Sequence, residues 1–453
     1  MSINMLKALP LVSHTAPDSI VAWCKTGPVT LRQFLNDVSQ LAAQLLPGRH
    51  LLNLCSDRYH FSVGLAAAIT TNKVSLLPAT RTPEMAEQLL AYAPDTFCLT
   101  DNEICALALP QLQYPTLSST LGSVLEVPSI NKNQLIATVF TSGSTGTPLP
   151  HNKSWGALVQ CVKIEAKRIG LLDESVAPTT LIGTVPPQHM YGFESSVLMA
   201  WQSGHALSHT HPFFPVDICQ AIAEVPSPRV LISTPVHLRA LLDAELTIPE
   251  TACVLSATAP LSSTLAVETE TRCNAPLIEI YGSTETGEIA TRRTTNTSEW
   301  HLFDGISLSK VDGYVYADGG HISSATRIND KIEFVSDTHF LLHGRLTDMI
   351  NIAGKRHSLA SLNHQLTIIP GVLDGTFYMP SEESHTHVTR LAAFVVSTPE
   401  TSTKQILSVL RKHLDPVFIP RPLWLVDKLP RNSTGKLPRP VLQDLYNKQL
   451  SAR

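Results

Sequence analysis

A run of small and hydroxylated residues, TSGSTG at 141–146, directly follows the apolar stretch at 135–140. Glycine loses the most backbone freedom on folding, so such a segment adds little to a hydrophobic core. Successive backbone N–H groups in a Gly/Ser/Thr turn can hold anionic oxygens, and the hydroxyls add donors. The segment therefore predicts a phosphate cradle, although a flexible surface turn would use the same residues. The sequence has no GxxxxGK[ST] motif, so the cradle is not a Walker A loop.

A second segment, YGSTETGE at 281–288, combines an aromatic residue with hydroxyl and carboxylate groups. Tyr281 beside a glycine can stack on a flat base. Carboxylate oxygen is a ligand that Mg²⁺ prefers together with phosphate and water, so Thr284 and Glu285 suit a bound magnesium nucleotide. Ser-Thr-Glu is also good helix-capping chemistry, and a simple N-cap turn is the alternative.

Two further segments lie toward the C-terminus, HGRLTDMINIAGKR at 343–356 and LPRNSTGK at 429–436. Lys436 follows a glycine-containing turn and can deliver a point charge to a reacting carboxylate or phosphate. A solvated surface lysine would look the same when considered singly.

The elements that must position these groups follow an α/β pattern, in which short apolar runs alternate with helical periodicity. The spacing predicts a helix from Leu31 (LRQFLNDVSQLAAQL) and another from Ser154 (SWGALVQCVKIEAKRIGL). Strands are predicted in QLIATVF, TTLIG, RVLIS, ACVLS and PLIEIY. Several of these strands deliver small or polar residues at their carboxyl ends, which is the edge where ligands collect in open α/β sheets.

From about residue 299 the sequence pattern changes to short runs in which apolar and polar residues alternate, typical of antiparallel strands. A last unit then follows Arg345. We therefore predict two lobes. The first is a large N-terminal lobe at 1–345, made of α/β sheets and a small barrel-like β part. The second is a small mobile α+β C-terminal lobe at 346–453, which carries Lys436.

Composition excludes several classes of function. The formal net charge of −4 provides no field to attract nucleic acid. The eight cysteines are scattered without a CxxC pair, which favours reduced thiols and a cytoplasmic protein. The longest clean apolar stretches, such as VGLAAAI from Val63, fall well below the roughly 18 residues that span a bilayer.

Together and in this order, the four segments resemble the adenylate-forming superfamily. That superfamily comprises acyl- and aryl-CoA synthetases, peptide-synthetase adenylation domains and firefly-type luciferases. The resemblance extends from about Gln134 to Leu442. It implies ATP and Mg²⁺ as cofactors. The glycine-rich loop, which loses much backbone entropy when it orders, would wrap around the triphosphate.

The resemblance also implies roles for individual residues, and those at the nucleotide come first. The phosphate loop would be Thr141, Ser142, Gly143, Ser144, Thr145 and Gly146. The adenine would lie between Tyr281, followed by Gly282 and Ser283, and the strip Ala257, Thr258 and Ala259. In the family the ribose carboxylate precedes this arginine by a characteristic number of residues, and that distance leads from Arg345 back to Asp330. Asp330 would bind the ribose with the help of Arg345, and Asp337 is the alternative candidate.

The remaining implied roles concern the reacting groups. Thr284 would contact the α-phosphate and Glu285 would hold Mg²⁺. Lys436 would bridge the substrate carboxylate and the α-phosphate. His189 matches the gate of the acyl pocket, and Arg356 a position near the phosphate.

The sequence departs from the family pattern at a few positions. The phosphate loop usually continues with Pro-Lys, whereas here Leu149 follows the proline and Lys153 comes a few residues later. Asn329 stands where a glycine normally precedes the ribose aspartate. The hinge residue, often Asp or Lys, is Thr347.

The resemblance implies activation of a carboxylic acid as acyl-AMP, followed by transfer to a phosphopantetheine thiol to give a thioester. The segment PPQHMYGFE offers only Glu194 and no aspartate to pair with an α-ammonium group, so an aryl or short unsaturated acid is expected. The loop also resembles stand-alone ligases that prime aryl-polyene pathways, which would make a separate acyl carrier protein the partner instead of coenzyme A. An amino-acid-activating enzyme and a non-catalytic nucleotide-binding homologue remain alternatives.

Overall fold

The computed structural model describes residues 7–78, 83–102, 107–118, 126–142, 148–173, 175–345, 349–352, 355–380, 390–432 and 435–451. Its α-helices are α1 (Leu31–Ala42), α2 (Arg58–Thr70), α3 (Pro83–Tyr92), α4 (Trp155–Arg168), α5 (Met199–Ser203), α6 (Pro215–Ala223), α7 (Pro235–Asp243), α8 (Ser263–Cys273), α9 (Leu359–Thr367), α10 (Thr403–His413) and α11 (Arg439–Ser451). A π-helical segment, Gly192–Leu198, leads into α5. The helices predicted from Leu31 and Ser154 are confirmed as α1 and α4.

A six-stranded sheet forms one layer of the N-terminal lobe. Its strands, in spatial order, are β10 (Pro148–Ser154), β9 (Leu135–Ser142), β5 (Val74–Leu77), β4 (His50–Asn53), β6 (Phe97–Thr100) and β7 (Gln111–Gln113). The pairings are parallel except that of β9 with the edge strand β10. Two prolines in β10 are tolerated because this strand pairs on one side only.

An eleven-stranded sheet forms the second layer. Its parallel centre comprises β2 (Ile20–Cys24), β12 (Ala206–Ser208), β11 (Thr180–Gly183), β13 (Arg229–Ser233), β14 (Cys253–Ser256) and β15 (Leu277–Ser283). Antiparallel strands extend it at both edges, namely β3 (Gly27–Thr30), β16 (Gly287–Arg292), β17 (Trp300–Leu302), β22 (His339–Arg345) and β21 (Asp330–Phe334). The central strands are buried on both faces of the sheet, which explains why their sequences are almost continuously apolar.

Small sheets complete the architecture. The antiparallel texture predicted after residue 299 is confirmed by β17, β21 and β22, together with the sheet β18 (Ile306–Val311), β19 (Tyr314–Gly319) and β20 (Ile322–Ile328). A two-stranded sheet joins β1 (Ala8–Pro10) to β8 (Ser129–Asn131).

A smaller C-terminal domain follows the large N-terminal lobe. It begins with the hairpin β23 (Met349–Ile352) and β24 (Lys355–Ser358). The sheet β25 (Val372–Tyr378), β26 (Ala392–Ser397) and β27 (Leu423–Leu425) then packs with α9 and α10 around its own apolar core. The mixed α/β class and this two-part organisation are as predicted. The boundary between 345 and 346 stays a prediction, because residues 346–348 lie outside the described ranges.

Within the described residues, no helix is both long and apolar enough to cross a bilayer.

Candidate active site

A cavity of about 2250 Å³ lies at the carboxyl ends of the parallel strands and reaches the C-terminal domain. Part of its lining comes from the ends of β9, β11, β13, β14 and β15 and the residues that follow them, and part from the C-terminal domain. The predicted site residues that line it are Thr141, His189, Ala257, Thr258, Ala259, Tyr281, Gly282, Ser283, Thr284, Glu285, Asp330 and Lys436. The parallel sheet brings the residues from 141 to 285 in this list to one edge, as expected, whereas Asp330 reaches the cavity from the antiparallel strand β21 and Lys436 from the C-terminal domain.

Tyr281 and Asp330 meet at one side of this cavity. The Tyr281 hydroxyl donates a hydrogen bond to Asp330 Oδ2 at 2.6 Å. Asp330 opens β21 and stands opposite Arg345 in the antiparallel register with β22. The two residues assigned to the ribose are thus cross-strand partners, although the Arg345 side chain is outside the described set. Asp337 lies in the turn between the two strands and lines a different depression.

The strand end at Tyr281 has a shape that only glycine permits at the next position. A register shift between Tyr281 and Gly282 interrupts the pairing with β16. A Cβ atom at residue 282 would lie 2.3 Å from the backbone oxygen of Gly287, so a side chain cannot be placed there without moving the strand. Bulges of this kind re-aim side chains next to functional sites.

The proposed adenine strip carries a local strain. Thr258 adopts φ +78°, a conformation that is rare for a residue with a branched side chain. Backbone outliers of this kind concentrate at ligand sites, where the surrounding structure holds them. Its neighbours Ala257 and Ala259 present only methyl groups to the cavity, which leaves room for a flat ring.

Glu285 lies beside the end of β9, which leads into the glycine-rich loop. Its Oε1 atom is 3.7 Å from His151 Nε2, and the same nitrogen is 3.0 Å from Thr141 Oγ1. Burial lowers the pKa of His151, so the ring contacts both groups mainly in its neutral form. The turn that carries Glu285 is closed by hydrogen bonds between Ser283 and Thr286. The two segments predicted to meet at the phosphates are therefore adjacent.

His189 and Lys436 approach the cavity from different domains. Burial, and after it the positive charge of Lys436, lower the pKa of His189 to about 3. A neutral imidazole therefore faces the lysine at physiological pH. Gly435 packs against the start of α7, because a Cβ atom there would be 2.8 Å from Val236 Cγ2.

The turn that holds Lys436 depends on a residue pair that the sequence analysis missed. Arg431 binds the carboxylate of Asp374 through two hydrogen bonds of 2.8 and 2.7 Å and also donates to the backbone oxygen of Gly435. Asn432 Oδ1 accepts a hydrogen bond from the Lys436 backbone nitrogen at 2.9 Å. Bidentate Arg–carboxylate pairs fix geometry as well as contributing energy. Arg431 lies within the quoted motif, but Asp374 on β25 carries no sequence signal.

Lys153, the lysine that arrives late after the glycine-rich loop, lies in the interior. Together with Cys161, Glu165, Glu194 and Glu288 it forms what we term the buried ionisable cluster. Burial raises the pKa of Glu165 and of Glu194 to about 8 and raises that of Glu288 well above its usual range. Burial also lowers the pKa of Lys153, while the negative charge of Glu194 opposes that shift. No sequence pattern predicted this cluster.

Several predicted residues lie partly or wholly outside the description. Residues 143–146 of the phosphate loop and the hinge Thr347 fall in undescribed segments. For Ser142, Arg345 and Arg356 the backbone is described and the side chain is not. Their roles remain predictions.

Comparison with known proteins agrees with this geometry. The chain matches the family of AMP-binding enzymes over residues 14–320. A 4-coumarate–CoA ligase of Halorhodospira halophila is 30% identical over 319 residues, which cover 66% of this chain and 74% of that protein. A 4-chlorobenzoate–CoA ligase of Arthrobacter sp is 25% identical over 352 residues, covering 67% and 65%. The solved structure of O-succinylbenzoate coenzyme A synthetase from Bacillus subtilis, in complex with ATP and magnesium ion, matches with a TM-score of 0.79 at 18% identity, covering 95% and 97%.

The chain belongs to the AMP-binding enzyme family and is an adenylate-forming protein of the acyl- and aryl-CoA ligase type. The family resemblance read from the four sequence segments and the α/β fold class are both confirmed.

Proposed function

We propose that this protein uses Mg·ATP to convert an aryl or short unsaturated carboxylic acid without an α-amine into acyl-AMP. It then transfers the acyl group to a phosphopantetheine thiol. The observation that carries the proposal is the convergence of Lys436 and His189 with Thr284, Glu285 and the Tyr281–Asp330 pair on one cavity. These groups supply what the chemistry needs at the carboxylate, the phosphate, the metal and the nucleoside.

In the first step a carboxylate oxygen attacks the α-phosphorus of ATP, the P–O bond to the β-phosphate breaks, and pyrophosphate leaves. The protein has to position the reactants and neutralise charge. Lys436 places its ammonium group between the carboxylate and the α-phosphate, and Thr284 donates its hydroxyl to the phosphate. His189 stays neutral, so it packs at the acyl group without competing with Lys436 for the carboxylate.

The residues present fit magnesium. Glu285 and Thr284 offer oxygen ligands, and the Glu285 side chain is 38% exposed beside the cavity. When bound, Mg²⁺ neutralises charge on the phosphate oxygens. His151 lies 3.7 Å from Glu285 and 3.0 Å from Thr141, so it links the turn of Glu285 to the strand that leads into the glycine-rich loop.

The absence of an α-amine on the substrate is supported by the residues after His189. The carboxyl group in the adjoining π-helix, that of Glu194, is only 2% exposed and lies beside the charge of Lys153. It is therefore not available as an open anchor for an ammonium group next to the reacting carboxylate. The printed names of the relatives, 4-coumarate and 4-chlorobenzoate ligases, are compatible with an aryl acid.

In the second step a thiolate attacks the acyl carbon, the bond to AMP breaks, and AMP leaves. The C-terminal lobe, residues 346–453, would swing about Thr347 and withdraw Lys436 to admit the thiol. Hinges need only tolerant backbone torsions, which threonine provides. The names of the relatives favour coenzyme A as the thiol, and a separate acyl carrier protein is the other source of the same group.

A panel of carboxylic acids tests the proposal by ATP–pyrophosphate exchange, followed by thioester formation with coenzyme A or a phosphopantetheinylated carrier protein. We expect exchange with at least one aryl or unsaturated acid, and thioester only after a thiol is added. Exchange with amino acids alone would contradict the substrate class. No exchange with any acid would contradict catalysis and favour the non-catalytic alternative.

A further inference from the structure

The segment that carries His189 has little regular structure of its own. It runs from the end of β11 at Gly183 to the start of the π-helix at Gly192, and it contains two prolines at 186 and 187. Proline nitrogens cannot donate hydrogen bonds, so a regular backbone pattern cannot hold this segment. Groups from other elements must therefore fix the position of the His189 ring.

Arg58, the first residue of α2, binds the elements on both sides of this segment. Its side chain is fully buried. Nη2 donates to the backbone oxygen of Gly183 at 2.7 Å and to that of Val185 at 3.2 Å, and Nη1 donates to Ser196 Oγ in the π-helix. One planar guanidinium group thus joins the strand before His189 to the helix after it.

Two glycines allow this close packing. A Cβ atom at Gly183 would lie 2.8 Å from Arg58 Nη2, and one at Gly192 would lie 2.2 Å from the backbone oxygen of Pro186. Ser196 completes the arrangement, because its hydroxyl also donates to the Gly192 carbonyl. The segment is packed so closely that a shift of its backbone would break several of these contacts.

A second hydrogen bond holds the segment from the same region. Gln188, directly before His189, donates from Nε2 to the backbone oxygen of Cys55 at 2.8 Å. The carboxylate of Asp101 in turn accepts hydrogen bonds from the two backbone nitrogens that follow Cys55, at 2.8 and 3.0 Å. Asp101 directly follows β6, so the segment is anchored to the six-stranded sheet.

The charge of Arg58 indicates more than a space-filling role. Burial lowers the pKa of Arg58 to about 10, and the charge of Asp57 opposes this shift without cancelling it, so the group stays charged at neutral pH. An apolar side chain of similar volume is often at least as stabilising as a buried charged group. We therefore attribute to the guanidinium a contribution to geometry, through its directed hydrogen bonds.

We propose that Arg58 is a positioning residue for the gate of the acyl pocket, and that it holds the chain from Gly183 to Ser196 so that His189 faces Lys436. The inference rests on the proposed acid-activating function. Arg58 is not among the described residues that line the cavity, so it acts through the segment that it binds. The nucleotide end is built on β14, β15 and β21, and loss of the Arg58 contacts should therefore affect the acid and spare ATP.

The charge state of His189 tests the inference without any substrate. Burial, and after it the positive charge of Lys436, lower the pKa of this ring to about 3. In NMR of protein labelled at the histidine rings, with the signal assigned from a His189→Asn variant, the ring should stay neutral from pH 8 to pH 5. Arg58→Lys keeps the charge but loses the planar fork, so the freed ring should gain water and take up a proton in that range. Arg49→Lys, at an exposed position, is the matched control.

Kinetics test the same contacts with an acid that supports ATP–pyrophosphate exchange. Arg58→Lys should lower kcat/KM for the acid roughly tenfold or more, while KM for ATP stays within about twofold. In a His189→Ala background the same substitution should change kcat/KM less than about twofold, because the two residues act on one element. An unchanged histidine titration in folded Arg58→Lys, additive losses in the double variant, or an equal loss for ATP would each overturn the inference.

Ser196→Ala removes one acceptor of the guanidinium and replaces Arg58→Lys if that variant does not fold. Its His189 ring should also take up a proton above pH 5, whereas Ser203→Ala, which loses a comparable hydroxyl–carbonyl bond, should behave like the wild type. A neutral ring in a folded Ser196→Ala protein would then overturn the inference. Exchange with no acid at all would contradict the proposed function, and the histidine titration would still decide the role of Arg58.

Discussion

The two ends of the cavity are built differently. At the nucleotide end the polar groups lie on strand ends and turns. Some of them hydrogen-bond each other, as the Tyr281 hydroxyl does with the Asp330 carboxylate. At the acyl end Glu194 and Glu288 line the cavity but are almost fully buried, and Glu288 interacts with the buried Glu165. The nucleotide end therefore suits a charged, hydrated ligand. The acyl end is closed by buried acids that interact with one another.

The difference follows from the chemistry at each end. Phosphate and magnesium are strongly hydrated, so an open arrangement of oxygen donors and acceptors exchanges one polar environment for another. The buried carboxyls at the acyl end instead interact with one another, and burial raises the pKa of Glu165 to about 8 and that of Glu288 well above its usual range. Substitutions at the nucleotide end should therefore change rates and metal dependence, whereas substitutions at the acyl end should change substrate preference and stability.

The largest effect should come from the residue that joins the two ends. Lys436→Ala should lower acyl-AMP formation by roughly 10²–10³-fold, because one preorganised charge at the developing transition state is removed. ATP binding, measured by calorimetry, should change little. Lys428→Ala, which removes an exposed lysine of the same domain, is the matched control. Undiminished pyrophosphate exchange in Lys436→Ala would remove this residue from the mechanism.

Glu285→Gln should act mainly through the metal. Loss of the carboxylate charge should raise the Mg²⁺ concentration needed for half-maximal exchange at least tenfold, because oxygen anions are the preferred ligands. A magnesium titration of exchange activity measures this shift, with Glu250→Gln as an exposed control. An identical titration curve would place the metal elsewhere.

A smaller effect should separate the two aspartates considered for the ribose. Asp330→Asn should raise KM for ATP about tenfold, the loss expected for a charge-assisted hydrogen bond of about 1.5 kcal/mol. Asp337→Asn should leave KM unchanged, because Asp337 lies in a turn away from the cavity. Equal effects of the two substitutions would contradict the assignment.

The smallest effect concerns stability at the acyl end. The pKa of Glu165 is about 8 in the folded protein against an ordinary 4.5, so the folded state binds more protons between these values. The stabilising contribution of protonated Glu165 is therefore complete below about pH 4.5 and is lost as pH rises toward 8. Urea unfolding at pH 6 and pH 8 should show a loss in wild type that exceeds the loss in Glu165→Gln by roughly 1–2 kcal/mol.

Buried histidines give the opposite trend and serve as an internal reference. The pKa values of His14, His237 and His321 are each lowered to about 4, mainly by burial, so stability should fall as pH drops from 6.5 toward 4 in both proteins. Parallel pH dependence of the two proteins from pH 6 to pH 8 would contradict the charge state assigned to Glu165.

The nucleotide end could be predicted from sequence because its groups occur in contiguous segments. Tyr281, Thr284 and Glu285 share one strand end, and Asp330 was found by counting back from Arg345, its cross-strand partner in the structure. Convergence of strand ends in a parallel sheet accounts for Tyr281, Thr284 and Glu285, whereas Asp330, on an antiparallel strand, was assigned from the family resemblance.

The acyl end could not be predicted because it depends on packing between distant elements. Whether Lys153 faces outward or inward depends on the register of β10, an edge strand with two prolines that no periodicity indicated. Glu165 and Cys161 lie on α4, where an acid on the buried face contradicts the amphipathic pattern that identified the helix. Asp374, which binds Arg431, likewise has no local signal.

A crystal structure with Mg²⁺ and a non-hydrolysable acyl-AMP analogue tests the central claim most directly. We expect the adenine between Tyr281 and the strip at 257–259, the ribose at Asp330, and the acyl group beside His189. An analogue bound elsewhere, or an empty cavity between Glu285 and the glycine-rich loop at saturating analogue, would contradict the account.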